Sequence, residues 1–311
     1  MKLQAKPMQW TAREYVFPIQ ERVLIMGVLN VTPDSFSDGG RYPGVDAAVA
    51  RAEAIEADGA DLLDIGGESS RPGARPVSLE EELARVLPVV SALAGRVRIP
   101  ISVDTTKAEV ARRALDAGAA VINDISALRG DPGMADVVAR SRAGLILMHM
   151  QGTPATMQDY PAHAAVVEEI GDFLQARVDA AVAAGIDRER IAVDPGIGFG
   201  KTGEQSLALM GGLAVFLSLG RPIVIGPSRK SFVGAVLERP VHEREWGTAA
   251  AVAAGVLQGA HVVRVHSVVQ MRDVARVAQA IRDQMPVNRY RLNVKCEALE
   301  GGNRSMASLR D

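Results

Sequence analysis

The chain contains one cysteine, two tryptophans and few aromatic residues of any kind, with Phe, Trp and Tyr making up 4% of its 311 residues. A single thiol, Cys296, excludes an internal disulfide and a cysteine-built metal cluster, and such usage suits a reducing compartment. Net charge is also missing. The 35 Lys and Arg nearly cancel the 37 Asp and Glu, leaving −2, which is no electrostatic footprint for nucleic acid or an anionic membrane. No apolar run reaches the roughly 18–20 residues of a membrane span before charge, Gly or Pro interrupts it. Residues 1–20 carry Trp10, Arg13, Glu14 and Pro18 in place of a sustained apolar stretch, so no signal peptide is expected. His149, His163, His242, His261 and His266 show no paired helical spacing with a carboxylate, which argues against a protein-built zinc site, and no serine sits in a nucleophile elbow. The expectation is a soluble cytoplasmic protein with neither nucleic-acid nor membrane partners.

What is present is 48% hydrophobic content rich in Ala, Val and Gly, which suits a parallel sheet covered by closely packed helices. The organising stretch is 23–40. It opens as a near-continuous branched apolar run, the pattern of a strand buried on both faces, and then turns polar at Asn30, Thr32, Asp34, Ser35 and Asp38, with Pro33, Gly39 and Gly40 preventing regular structure. The arrangement recurs down the chain. Apolar strands at 62–66, 99–103, 120–122, 144–148, 191–193, 223–225 and 262–265 each run into polar residues. Helical spacing follows at 45–55, 79–90, 107–117, 166–178, 207–219, 246–257 and 270–284. Gly59, Gly118, Gly220 and Gly259 stand where helices should stop, and Ser78 with Glu81 reads as a capping box. Strict alternation of eight strands with helices is the pattern of a single α/β domain, a (β/α)8 TIM barrel over 23–284, between a leader at 1–22 and a polar tail at 285–311. A doubly wound open sheet is the rival, and the count of eight favours the barrel.

In such a barrel the C-terminal ends of the strands share one face. Asn30, Asp64, Asp104, Asn123, Asp194, Lys230, Arg264 and His266 are therefore drawn to one mouth. One aspartate at a strand end is commonly a cap, but polar residues at nearly every strand end read as a site. Asp104, Asn123 and Asp194 suit a flat heterocycle bearing N–H donors and carbonyls, while Arg71, Lys230, Arg264 and His266 suit phosphate or carboxylate oxygens. A ligand with a polar planar head and an anionic tail matches both halves. The Gly-Ile-Gly-Phe-Gly-Lys run at 196–201 fits neither phosphate-loop nor dinucleotide spacing and is discounted as a nucleotide signature.

The segment 26–40, Met-Gly-Val-Leu-Asn-Val-Thr-Pro-Asp-Ser-Phe-Ser-Asp-Gly-Gly, and the segment 64–74, Asp-Ile-Gly-Gly-Glu-Ser-Ser-Arg-Pro-Gly-Ala, resemble the two signature segments of the dihydropteroate synthase family. Further matches run in order through Ile101–Thr105, Ile122–Asp124, Met148–Gly152, Asp194–Lys201, Ser228–Ser231 and Arg264–His266, so the resemblance spans the barrel but not the leader or the tail. It implies a pterin-binding TIM barrel that condenses 6-hydroxymethyl-7,8-dihydropterin diphosphate with 4-aminobenzoate, giving 7,8-dihydropteroate and diphosphate for folate synthesis. By the same resemblance Asp104, Asn123, Asp194, Lys230, Phe199 and Met150 would bind the pterin. Asn30, Ser70, Arg71, Arg264 and His266 would bind the diphosphate, and Phe36, Ser70, Pro72, Lys230 and Ser231 the aminobenzoate. Asp34, Asp194, Lys230, Arg264 and His266 would carry the chemistry. The implied cofactor is Mg2+ at Asn30, the implied assembly a homodimer, and sulfonamides the implied inhibitors. Ser70 stands where the family often has Thr, keeping the hydroxyl and losing a methyl. The alternatives are a pterin-dependent methyltransferase domain, which has no use for diphosphate ligands, and a catalytically silent pterin-binding paralogue.

Overall fold

The computed structural model describes residues 8–32, 43–69, 73–152, 157 and 165–285. Asp34, Phe36, Asp38, Ser70, Arg71, Pro72 and Cys296 lie outside these residues, as do positions 1–7 and the tail from 286 onward.

Eight parallel strands form one sheet: β3 (Leu24–Asn30), β4 (Leu62–Gly66), β5 (Ile101–Asp104), β6 (Val121–Asp124), β7 (Gly144–Met148), β8 (Ile191–Asp194), β9 (Val224–Ile225) and β10 (Val262–Val265). Neighbours in space are neighbours in sequence from β3 to β8, and β10 pairs with both β3 and β9. A bridge from Val193 to Ile223, with Val193 N–H donating to Pro222 O at 2.9 Å, joins β8 to the β9 edge and closes the ring. The sheet is therefore a barrel, wrapped by α1 (Pro43–Ala57), α2 (Leu79–Leu93), α3 (Ala108–Asp116), α4 (Met134–Ser141), α5 (Val166–Ala183), α6 (Gly203–Gly211), α7 (Ser231–Leu237), α8 (Glu245–Leu257) and α9 (Val268–Asp283).

Side chains on a strand alternate between faces. Ile25, Leu63, Val103, Ile122, Leu145, Val193, Ile225 and Val263 pack outward with the helices, whereas Leu24, Met26, Leu62, Val121, Ile146, Ala192, Val224 and Val262 fill the barrel interior. Apart from β5, whose inward positions are Ser102 and Asp104, the strands are apolar on both faces in their lower part, so the sequence reads as runs with little alternation.

The barrel floor comes from residues read in sequence as a leader. Strands β1 (Trp10–Ala12) and β2 (Tyr15–Phe17) pair as an antiparallel hairpin. Trp10 is fully buried, stacks on Phe17 at 4.2 Å between ring centroids and donates from Nε1 to Arg190 O at 3.1 Å. Gly144, which opens β7, makes room for this plug: a Cβ there would come within 2.9 Å of Ala12 Cβ.

Local signals behave as their chemistry dictates, with three refinements. Gly59, Gly118, Gly220 and Gly259 all take positive φ at the helix stops read from the sequence. Ser78 Oγ accepts from Glu81 N at 3.1 Å, but the Glu81 carboxylate pairs with Arg85 one turn later, so only half of the expected box forms. The helix expected at 207–219 starts earlier, with a full capping box between Thr202 and Gln205. It then gives way after Gly211 to a 3-10 segment over Leu213–Leu219.

Candidate active site

The interior face changes character on the way up. Successive inward positions read Leu24, Met26, Val28, Asn30 on β3; Leu62, Asp64 on β4; Ser102, Asp104 on β5; Val121, Asn123 on β6; Ile146, Met148 on β7; Ala192, Asp194 on β8; and Val262, Arg264 on β10. The period that packs the floor with hydrocarbon thus places the strand-end polar groups in one mouth. Asp104, Asn123, Asp194, Lys230 and Arg264 line one cavity together with Ile125, Met148, Ile197, Phe199 and Gly226. Asp124 faces the other way and accepts from Ser126 N, Ser126 Oγ and Leu128 N, the ordinary task of a turn aspartate.

Arg264 is the electrostatic centre. Its Nε donates to Asp64 Oδ2 at 2.7 Å and its Nη2 to Asp104 Oδ2 at 3.2 Å, and Asn123 Nδ2 donates to the same Asp64 oxygen at 3.2 Å. Burial opposes the guanidinium charge, and Asp64 and Asp104 more than offset it. The sequence marks Arg264 as a desolvated cation in need of a partner but does not identify the partner. Asp64, fully buried and 200 residues away, is the one it left without a role. Burial pushes the Asp104 carboxyl upward despite Arg264. It also raises Asp194 to about 6, against Gly196 N–H at 2.7 Å and the charges of Lys230, Lys201 and Arg264. Burial and repulsion from Arg264 bring Lys230 down to about 7. Acids held above their usual range beside amines held below theirs form a site whose protonation can change near neutrality.

The rest of the pocket is an apolar wall of Ile125, Met148, Ile197 and Phe199, packed against Met150 and Met157. Ile125, Met148, Met150, Met157 and Phe199 pack as one cluster, and Lys230 Nζ lies 3.6 Å from the centroid of the Phe199 ring. The glycines of 196–201 permit this. A Cβ at Gly196, where φ is +67°, would sit 1.9 Å from His149 O, and one at Gly200 would meet Gln151 Cβ at 2.8 Å. The run is a loop pressed against its neighbour, which is why its spacing matches no phosphate cradle.

Other sequence-read residues stand around this cavity. Asn30 ends β3, and Gly66 stands between it and Asp104: a Cβ on Gly66 would be 3.8 Å from Asn30 Oδ1 and 3.7 Å from Asp104 Cβ. His266 follows β10, and its Nδ1 is 2.9 Å from Ser228 Oγ, a contact that fixes the ring. Ser231 is exposed at the first position of α7. Asp34, Phe36, Ser70, Arg71 and Pro72 fall outside the described residues. Among the described residues no group of three or more His, Cys, Asp or Glu side chains could hold a metal ion. The hard oxygen of the Asn30 carboxamide fits a magnesium ion bound mainly through substrate phosphate. A larger depression lies at the other end of the barrel among Arg22, Asp61, Arg272 and Arg276. It shares no residue with the strand C-termini, where barrel chemistry is done.

Comparison with known proteins agrees with this geometry. The model of the pterin binding enzyme family matches residues 26–266. The dihydropteroate synthase of Synechocystis sp. is 46% identical over 267 residues, covering 86% of this chain and 92% of its own. The solved dihydropteroate synthase of Xanthomonas albilineans with 4-aminobenzoic acid superposes with a TM-score of 0.83 at 43% identity, over 90% of this chain and all of that one. The Yersinia pestis dihydropteroate synthase in a sulfonamide drug complex gives a TM-score of 0.83 at 42% identity, over 89% and 100%. With a barrel closed in the same way and a polar cavity at its strand ends, the chain belongs to the pterin-binding enzymes and, within them, to the dihydropteroate synthases.

Proposed function

We propose that the cavity at the strand ends holds the pterin ring of 6-hydroxymethyl-7,8-dihydropterin diphosphate and that the chain joins its methylene carbon to the amine of 4-aminobenzoate, releasing diphosphate. The observation that carries this reading is the pairing of a hydrogen-bonding rim, Asp104, Asn123, Asp194 and Lys230, with the apolar wall of Met148 and Phe199 in one pocket. Carboxylates accept from the ring N–H and amino groups, the Asn123 amide and Lys230 donate to its carbonyl and ring nitrogen, and the wall stacks on its face. Arg264 uses two of its five N–H donors on Asp64 and Asp104. The others serve the leaving oxygens, with His266 held by Ser228 and Asn30 at the end of β3 beside it.

The chemistry follows from charge. Negative charge grows on the diphosphate as the C–O bond breaks, and a preorganised cation there stabilises the transition state. The methylene becomes electron-poor, and the Asp194 carboxylate supports it. The aromatic amine is a neutral nucleophile at pH 7, so no enzyme nucleophile is required. Magnesium, bound at Asn30 and the substrate phosphates, would supply further charge neutralisation on the leaving group. Asp34, Phe36, Ser70, Arg71, Pro72, Lys230 and Ser231 are assigned to closing over or contacting the aminobenzoate and diphosphate, on the strength of the motif match. A homodimer is supported by the apolar residues Val236, Leu237, Val241 and Trp246, exposed on and between α7 and α8.

The test is diphosphate release by the purified protein with the dihydropterin diphosphate and magnesium, with and without 4-aminobenzoate. Release that rises with 4-aminobenzoate and yields dihydropteroate establishes the reading. Tight pterin binding without turnover would assign the chain to a silent paralogue instead.

A further inference from the structure

Lys201 has no part in the chemistry above, yet it is 3% exposed and sits beneath the pocket wall. Its Nζ makes three contacts: His149 Nδ1 at 2.9 Å, Phe199 O at 2.8 Å and His149 O at 3.3 Å. An ammonium has three N–H donors, so the charged amine is fully used if His149 is neutral with its proton on Nε2. Each acceptor belongs to a loop that carries a residue of the apolar cluster forming and backing the wall. His149 directly precedes Met150 in the loop after β7, and Phe199 is in the loop after β8. Gly196 and Gly200 let the backbones of the same two loops touch, and Arg129 Nη2, from the loop after β6, donates to Met150 O at 2.6 Å. Lys201 binds both loops at once. A buried cation is costly, and burial brings its amine down to about 7 with Asp194 as the opposing charge. A residue needed only for packing would be hydrocarbon at this position.

On the functional reading given above, we propose that Lys201 is a positioning residue for pterin binding. Its amine bolts the loop after β8 to the loop after β7 and so fixes Phe199 and, through Met150 in the same apolar cluster, the wall of Met148 and Phe199 against which the ring stacks. The wall belongs to the pterin half of the pocket, so the effect should fall on one substrate.

The experiment compares wild type with Lys201→Met, which keeps the hydrocarbon length and removes the donors, and Lys201→Gln, which restores an N–H donor. The KM for the dihydropterin diphosphate and its Kd without 4-aminobenzoate should rise about tenfold in Lys201→Met, the size of one lost buried hydrogen bond. The KM for 4-aminobenzoate should stay unchanged, and Lys201→Gln should recover part of the loss. Nitrogen-15 spectra of His149 should show the Nε2–H tautomer in wild type and a mixture in Lys201→Met. Pterin affinity within about twofold of wild type in Lys201→Met, or an equal loss of affinity for both substrates, would overturn the assignment. If Lys201→Met does not fold, wild-type pterin KM in Lys201→Gln together with an altered His149 tautomer would overturn it equally. Wild-type protein that binds no pterin would instead sink the functional reading on which this one rests.

Discussion

Arg264 and Asp194 show how single side chains combine cost and use. Arg264 stands inside a barrel strand with two carboxylates on its fork, so its removal affects both rate and stability. Arg264→Ala should lower kcat/KM on the order of 10²-fold through loss of a leaving-group donor. It should also destabilise the free protein by about 3–5 kcal/mol, because Asp64 and Asp104 are left buried without their cation. Arg264→Lys keeps the charge but not the fork and should recover more stability than activity; steady-state kinetics and thermal melts of the two variants check this. Asp194 is the opposite case. Its folded pKa of about 6 lies above the ordinary 3.8. The folded state therefore holds the proton more tightly than the unfolded one, and this group's contribution to stability is present below about pH 4 and lost as pH rises through 6. At pH 7.5 Asp194→Asn should raise Tm while abolishing pterin binding, which calorimetry and titration read separately. In wild type, kcat/KM for the pterin substrate should fall below about pH 6 as the carboxylate is protonated, the limb that a free-enzyme pH profile reports.

At the scale of elements, the hairpin β1–β2 is the least expected part of the fold and the easiest to test. Trp10 closes the barrel floor at the end away from the strand C-termini, so Trp10→Ala should cost about 3–5 kcal/mol in denaturant melts while leaving kcat at 25 °C near wild type. A kcat that fell in step with stability would mean that the floor sets the geometry of the mouth. The hairpin escapes a sequence reading because two three-residue strands are too short for periodicity, and Trp10 and Phe17 are apolar in isolation from any run. Helix α4 is eight residues long and is passed over for a similar reason. The barrel strands and most helices are legible because most strands are one apolar burst and helices stop at glycines such as Gly59, Gly118, Gly220 and Gly259 that adopt positive φ. The site was half legible. Asp104, Asn123, Asp194 and Lys230 announce themselves as polar groups at strand ends. The pairing of Asp64 with Arg264 and the bridging by Lys201 are long-range contacts that no local pattern encodes.

At the scale of the whole molecule, the outer surface carries one feature that a lone barrel does not explain. Trp246 is 86% exposed at the start of α8, and Val236, Leu237 and Val241 are exposed on α7 and the turn that follows it. Leu237 packs beside the start of α8, where a Cβ at Gly247 would come within 2.7 Å of its Cδ1. Burying an indole of this kind is worth more than burying any aliphatic side chain, and exposed aromatic clusters mark protein interfaces. A second copy meeting the first across a two-fold axis would cover the same patch on both. The protein should therefore sediment as a dimer at micromolar concentration, and Trp246→Glu should shift it to monomer without unfolding it, as sedimentation velocity and circular dichroism would show. The patch also lies behind the site. Arg244, just before α8, donates to Arg229 O at 3.2 Å and Lys230 O at 3.4 Å, and its guanidinium packs over Gly234 where any side chain would collide. If the interface steadies this contact, Trp246→Glu should raise the pterin KM as well as dissociate the dimer. A monomeric variant with wild-type KM would show that the patch holds two barrels together and does nothing for Lys230.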